Sequence, residues 1–500
     1  MCLWRRSSHK WRAARKVNER ILFCMMKRLK TSGHGAMMMG VVWMVSGCTV
    51  GPDFVKPEVE KASRWKRADK VSDAAVPDEW WKLYRDADLN ALVERALAGN
   101  QDIKAAQARV ETARALAGVT RADRLPQLSG QGGAVVERLS ESNFAGNLPP
   151  GVPLPELSRD RYNLGLNLSY EADLWGRVKR KEEGAKARTE AEVNRLSAQR
   201  LLVAAEVARI YFRATALDRE ETVLVQTVAS REESRTLQQS RLEGGLSTEI
   251  DVARARTEVE LARNDLELVK RQRGAFEHAL AVLCGDVPSD FSLAKRGDKL
   301  VSPPKVPAGM PSSLMQRRPD LRAAEETLRA ANADVGAAMA DFYPAFSLTG
   351  SAGLESIGAT DFINWRNRAL SLGPSVTVPI FQGGRLKGNL AAARSRFDES
   401  LATYRQLWIT ALGEVEDAML DAQALERQRR AVSAALDAAV ETRKLAQMRY
   451  DKGLASYFEV VDADRTVLTT KILLARIDGE RLGASVQMLR ALGGGWSGSK

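Results

Sequence analysis

Gly176-Arg177-Val178-Lys179 returns 208 positions later as Gly384-Arg385-Leu386-Lys387. The same offset of 208 carries Leu237, Arg241, Gly245, Leu246 and Val252 onto Leu445, Arg449, Gly453, Leu454 and Val460. Upstream, Asp102, Ala105, Ala106, Pro126 and Leu128 meet Asp320, Ala323, Ala324, Pro344 and Phe346 at an offset of 218. The two offsets differ by one length change, which falls between Pro126 and Gly165. A unit that recurs at this size with its parts in order is a duplicated fold unit.

Each copy reads as an Ala-rich helix, a proline, two alternating segments, a very long helix, a Gly-centred tip and a returning helix. From Leu164 to Asp173, Leu164, Leu166, Leu168, Tyr170 and Ala172 alternate with Gly165, Asn167, Ser169, Glu171 and Asp173, the period of a strand with one apolar face. Its counterpart sets Leu372, Val376, Val378 and Ile380 against Ser371, Ser375 and Thr377. Gln127–Glu137 and Ala345–Glu355 supply the partner segments. All are about 10 residues, the length of a tilted strand crossing a bilayer, although period two alone also fits a soluble sandwich. The loop of the first hairpin holds Pro149, Pro150, Pro153 and Pro155 and absorbs the length change.

Leu196, Val203, Ile210, Leu217 and Leu224 recur every seven residues, with Val207 and Ala214 between them, which is coiled-coil spacing. The stretch from Val178 to Thr236 has no proline, and neither does Leu386–Tyr450. A helix of that length would run about 90 Å and must project from any small domain. Returning helices are expected over Ile250–Leu283 and Phe458–Leu489, and the Pro-rich stretch Val287–Pro311 reads as an irregular connector.

The net charge of +12 on 500 residues suggests a nucleic-acid partner, but its distribution does not. Residues 1–47 hold ten Lys or Arg against Glu19 alone, which accounts for most of that charge. This leader has a basic stretch at Lys27, Arg28 and Lys30 and an uncharged, mostly apolar one from Gly35 to Gly47, the pattern of a signal peptide, with Met25 or Met26 as an alternative start. It ends in Val45-Ser46-Gly47-Cys48, which resembles a bacterial lipobox, with Cys48 as the lipid-attachment residue; a buried Cys after an ordinary signal peptide is the alternative. In such lipoproteins Thr49, in place of Asp, implies delivery to the outer membrane. After processing only Cys48 and Cys284 remain, and His278 is the one histidine, so histidine-built zinc sites and His-based triads have almost nothing to work with. The sequence calls for no cofactor, metal or catalytic residue.

Four membrane strands cannot close a barrel, and an open edge in hydrocarbon leaves backbone groups unpaired. Several chains must share one barrel; two would give eight strands with a filled interior, three twelve with room for a lumen. The uncharged polar faces favour the lumen.

The chain resembles the TolC-like outer-membrane factors, most closely the OprM-like lipoprotein branch that serves resistance-nodulation-division efflux pumps. The motifs are Cys48-Thr49-Val50-Gly51-Pro52-Asp53-Phe54, Trp80-Trp81, Leu89-Asn90, Asn100, Asp173-Leu174-Trp175-Gly176-Arg177, Pro311-Ser312, Arg317-Arg318-Pro319-Asp320-Leu321 and Phe381-Gln382-Gly383-Gly384-Arg385. The resemblance implies an α+β membrane protein: a homotrimeric 12-stranded outer-membrane β-barrel, four strands per chain, continued by a periplasmic α-helical coiled-coil barrel. It implies a duct joined to a periplasmic adaptor (membrane fusion protein) and an inner-membrane resistance-nodulation-division transporter, exporting drugs or other small molecules. The domain plan is a signal peptide at 1–47, a lipid-anchored segment at 48–90, a first repeat at 91–285, a connector at 286–317, a second repeat at 318–490 and a tail at 491–500.

By the same resemblance Asp251, Tyr450, Glu459 and Asp462 form the periplasmic gate, with Asp251 and Tyr450 as an inter-coil latch. Gly245, Leu246, Ser247, Gly453, Leu454 and Ala455 form the adaptor-contacting tips. Glu459 replaces the aspartate common in the family, and first-turn acids such as Asp251 and Glu459 also suit helix N-termini. At the offset of 208 Asp462 faces Arg254, Asp464 faces Arg256 and Tyr450 faces Leu242, so the copies disagree in charge at the mouth. Unequal movement of the two coils on opening is the expectation that follows. Competing readings are a type I secretion duct, an outer-membrane hydrolase, which lacks a nucleophile motif, and an adaptor, which lacks paired strand segments.

Overall fold

The computed structural model describes residues 49–59, 65–66, 76–138, 140, 158–297, 301–304 and 318–495. The leader, Cys48, the proline loop of the first hairpin, Pro311-Ser312 and Arg317 lie outside the described residues.

One compact unit comprises residues 128–177 and 343–378 with Thr49 and Val50. Strands β1 (Gln127–Arg138), β2 (Ser158–Ala172), β3 (Ala345–Ser356) and β4 (Arg368–Thr377) form a single sheet in the order β1-β2-β3-β4. The β2–β3 and β3–β4 pairs are antiparallel. Directly paired residues share a face, so the register sorts every side chain. Leu164, Leu166 and Tyr170 pair with Leu354, Ala352 and Leu348, which in turn face Arg368, Leu370 and Pro374. The opposite face carries Asn167 against Ser351 and Ser371, Ser169 against Thr349 and Gly373, and Glu171 against Ser347 and Ser375. One side is therefore mostly apolar, with Arg368 at one end, and the other carries mainly hydroxyl and amide groups, with Glu355 and Glu171 towards its two ends. Leu370 and Leu372 are exposed in the single chain. Val378 and Ile380, expected on the fourth strand, fall past its last paired residue, Thr377. Pro379 has no N–H to continue the ladder.

The sheet tolerates no side chain where it is tightest: a Cβ on Gly353 would lie 2.3 Å from the Leu164 carbonyl oxygen. Strand β2 ends in a turn in which the Trp175 indole donates to the Pro344 carbonyl at 2.7 Å and Arg177 reaches Glu171 with two hydrogen bonds of 2.9 and 2.5 Å. Gly176 takes φ +75°, a left-handed conformation that suits glycine. Arg385, the repeat partner of Arg177, bonds Gln382 at 2.6 Å instead, because the residue equivalent to Glu171 is Pro379.

The second unit holds the helices: α1 (Ala87–Gly99), α2 (Gln101–Ala122), α3 (Arg177–Glu243), α4 (Glu249–Cys284), α5 (Pro319–Ala340), α6 (Arg385–Asp451) and α7 (Tyr457–Ala491). Helices α3 and α6 have 67 residues each, about 100 Å at the usual rise. Of the heptad residues, Leu196 is partly buried and Val203, Val207, Ile210, Ala214, Leu217 and Leu224 are buried, so the coiled-coil spacing marks the seam from Val203 onward. The main core joins Val203–Phe212 of α3 to Trp408–Met419 of α6, the ends of α4 and α7, and the aromatic turn Trp80-Trp81-Tyr84. Asp86 caps α1 and accepts from Tyr211 at 3.0 Å and from Arg296 of the connector at 2.7 and 2.9 Å. That buried carboxylate fastens the start of the repeat to the segment that follows it.

None of the described helices is long and apolar enough to cross a membrane.

Candidate periplasmic gate

Both coiled-coil hairpins turn by the same device. At the first tip Leu246 N–H donates to the Arg241 carbonyl at 2.7 Å and Gly245 N–H to Leu242 at 2.9 Å, with Gly245 at φ +73°. At the second, Leu454 donates to Arg449 and Gly453 to Tyr450, both at 2.9 Å, with Gly453 at φ +70°. This is the Schellman closure, which satisfies the last helical carbonyls and needs a left-handed residue where each glycine stands. It leaves Leu246 and Leu454 81 % and 67 % exposed at the two tips. Ser247 turns inward, donating to Gln238 Oε1 at 3.0 Å, while its counterpart Ala455 has no polar group to offer.

The four gate candidates sit close behind the tips, at the last residues of α6, the first turn of α4 and the first two turns of α7. Asp251 accepts from the Thr248 hydroxyl at 2.9 Å while its own N–H donates to that oxygen at 3.3 Å, the reciprocal cap of α4. Tyr450 exchanges hydrogen bonds with Gln238 of α3, and Arg241 lies over its ring at 4.9 Å. Within one chain, then, Asp251 and Tyr450 have separate partners and are not joined to each other. Glu459 pairs with Arg449 of its own hairpin at 3.3 Å. Asp462 is exposed and, among the described residues, its carboxylate has no hydrogen-bonding or ion-pair partner; with Glu459, Phe458, Thr442 and Thr466 it borders a cleft of about 270 Å³. Arg254, opposite Asp462 in the repeat, packs over Phe458 at 5.4 Å, and Asp464 is ion-paired to Arg443.

Two residues beneath the tips escaped the sequence reading. The heptad that runs through Leu217 and Leu224 continues to Arg231 and Gln238, both buried. Arg231 pairs with buried Glu258 of α4 at 3.2 Å, and Arg465 of α7 reaches the same carboxylate at 2.8 Å. The apolar seam thus becomes polar at its last two heptad positions. Extending the seven-residue count past Leu224 would have found both. Between the Arg231–Glu258–Arg465 group and the tips, a small apolar cluster, Ala255, Ala446, Tyr457, Val460, Val461 and Ala463, holds three helices together.

Among the described residues no cluster of His, Cys, Asp and Glu has the geometry to hold a metal ion.

Comparison with known proteins agrees with this architecture. The profile of the outer membrane efflux protein family matches residues 92–286 and 310–494, one segment in each copy of the repeat. The outer membrane protein OprJ of Pseudomonas aeruginosa is 34% identical over 474 residues, covering 94% of this chain and 97% of OprJ. The toluene efflux pump outer membrane protein TtgI of Pseudomonas putida is 33% identical, over 93% of this chain and 99% of TtgI. The solved outer-membrane channel OprN superposes with a TM-score of 0.83 at 30% identity, covering 90% of this chain and all of OprN. The four-stranded sheet, the paired long hairpins and the internal duplication are the fold of these channels. The chain belongs to the outer membrane efflux protein family and is the outer-membrane channel component of an efflux system.

Proposed function

We propose that three copies of this chain form a passive duct that exports drugs or other small molecules, joined to a periplasmic adaptor and an inner-membrane resistance-nodulation-division transporter. The observation that carries the reading is the sheet: one mostly apolar face, one polar face that is uncharged along most of its length, and outer strands β1 and β4 with unpaired edges among the described residues. Such a sheet suits hydrocarbon outside and water inside, and it is stable there only when neighbouring chains pair β4 with β1. Three chains give twelve strands, enough for an aqueous lumen. The duct performs no catalysis; energy and cargo choice belong to the pump.

In this proposal Cys48 is diacylated and anchors the mature chain, each buried methylene contributing about 0.8 kcal/mol. Gly245, Leu246, Ser247, Gly453, Leu454 and Ala455 meet the adaptor, and the exposed leucines support that role. Asp462 and Glu459 form a carboxylate ring at the mouth, and Tyr450 and Asp251 hold neighbouring coils closed. Segments 48–90, 91–285, 286–317 and 318–490 are its anchor, first repeat, connector and second repeat. The test is native mass spectrometry and planar-bilayer recording on the purified full chain. A trimer with ion conductance is the expected outcome; a non-conducting monomer would overturn the proposal.

A further inference from the structure

The apolar face of the sheet ends on a charge. Arg368, the first residue of β4, pairs with Leu354, which pairs with Leu164, so its side chain stands on the same face as Leu370, Leu372 and Val376. Strand β4 has 10 residues, the length a tilted strand needs to cross hydrocarbon, which puts its first residue at one border of the apolar band. The chain passes into α3 and α6 from the other ends of β2 and β4, after Ala172 and Thr377. Arg368 is therefore at the hairpin end, which the duct proposed above turns to the outer leaflet.

That hairpin sets apolar and cationic groups side by side. Ile363 and Trp365 are 86% and 76% exposed. Phe362 lies against Tyr162 with ring centroids 6.1 Å apart, and Tyr162, paired with Ser356, extends the apolar face one row beyond Leu164. Aromatic rings of this kind gather at the level of lipid headgroups. The turn is tied down: Asn364 accepts from the Arg366 N–H at 3.0 Å, and the Asn367 amide donates to the Asp361 carbonyl at 2.6 Å. The Arg368 guanidinium donates to the Trp365 carbonyl at 3.0 Å and lies 5.1 Å from the centre of its ring. Among the described residues neither Arg366 nor Arg368 is ion-paired to a carboxylate. Of the acids nearby, Asp361 is exposed in the same turn, Asp160 accepts from the Tyr162 hydroxyl at 3.4 Å, and Glu355 stands on the opposite face of the sheet.

A guanidinium at the edge of hydrocarbon is costly without a counter-charge, and it is relieved by an anion at that level or by reaching into water. Its planar fork fits pairs of phosphate oxygens. A phosphate carried above acyl chains meets both halves of the patch at once, the cations at the border and the leucines beneath them. We infer that Arg368 and Arg366 hold the phosphate of an outer-leaflet lipid whose acyl chains lie along Leu370 and Leu354. The inference rests on the reading of the sheet as a membrane wall and adds to it a headgroup site. Pairing of β4 with a neighbouring strand uses its backbone edge and leaves the Arg368 side chain on the outer face.

The test is native mass spectrometry of the full chain in detergent, with lipid A, lipid A stripped of its phosphates, and inorganic phosphate as separate probes. The trimer is expected to retain lipid A about tenfold more tightly than the stripped lipid and to retain no inorganic phosphate. Arg366→Gln with Arg368→Gln should abolish the preference, and Arg366→Lys with Arg368→Lys should restore part of it. Equal retention of the two lipids, or a preference that survives the glutamine variant, would overturn the site and leave the trimer standing, with Arg368 simply reaching water. Inorganic phosphate held as firmly as lipid A would overturn the lipid as occupant. A monomer that retains neither lipid would overturn the membrane wall and the site together.

Discussion

Tyr450 and Gln238 bind the two copies of the repeat to each other: the Gln238 amide donates to the phenol oxygen at 2.9 Å, and the phenol reaches Gln238 Oε1 at 3.1 Å. Gln238 is 1 % exposed, so losing this partner leaves a buried amide unsatisfied at about 1–3 kcal/mol. Tyr450→Phe combined with Asp251→Ala is expected to raise single-channel conductance severalfold in planar bilayers. Unchanged conductance would remove the latch from the account.

The copies carry opposite charge at Arg254 and Asp462. Exchanging the two residues would move an acid beneath Phe458 and a guanidinium to the cleft, and the closed channel should leak more. Ion flux through reconstituted vesicles at rest measures this; an unaltered leak counts against unequal movement of the coils.

Glu258 is shared by Arg231, which is buried, and Arg465, whose side chain is 49% exposed. Glu258→Ala takes the counter-charge from the buried Arg231 guanidinium, which keeps only the backbone carbonyl at 258, and should cost about 3 kcal/mol, whereas Arg465→Ala should cost at most about 1 kcal/mol. Hydrogen exchange of the α3–α4 tip resolves the two. Equal loss of protection would show that the exposed arginine matters as much as the buried one.

Asn100 caps α2 by accepting from Ile103 N–H at 3.1 Å and donates to the Leu283 carbonyl at 2.9 Å. Asn100→Ala should destabilise by about 1–2 kcal/mol. Gly285→Ala should cost more, because its φ is +78° and the added Cβ would lie 2.3 Å from the Gly99 carbonyl oxygen. Denaturant midpoints in detergent give the order, and the reverse order would refute it.

Glu326 has its carboxyl pushed above the ordinary value, first by burial and then by Glu325 and Glu190, against the pull of Arg329 and Lys56. A raised carboxyl favours the protonated folded form, so its contribution is full below the unfolded value and lost as pH rises through the folded one. Glu326→Gln should therefore raise the melting temperature at pH 7 and leave it unchanged below about pH 4. A rise of equal size at both pH values would exclude the charge as the cause.

Much of this was readable before any coordinates. Period-two alternation located three of the four strands, because a sheet with unlike faces must alternate, and β1 followed as the repeat counterpart of β3. Heptads located α3, and the glycines at 245 and 453 located the tips, because the closure there needs a left-handed residue. The end of β4 was misread because Val378 and Ile380 kept the alternation while Pro379 removed the donor. The polar ties were not legible: Asp86 meets Arg296 across 210 residues and Glu258 meets Arg465 across 207, separations over which only the folded chain supplies neighbours. Arg231 and Gln238 lie between these cases, since their spacing was visible but their burial contradicts what polar residues ordinarily do.

The bare edges of the four-stranded sheet also set how the protein can be made. A lone sheet has no stable resting place in the bilayer, so closure requires copies to meet before or during insertion, and its rate must climb steeply with their local abundance. Until then each copy carries two adhesive borders through an aqueous compartment. Those borders must be kept from pairing wrongly until the copies meet.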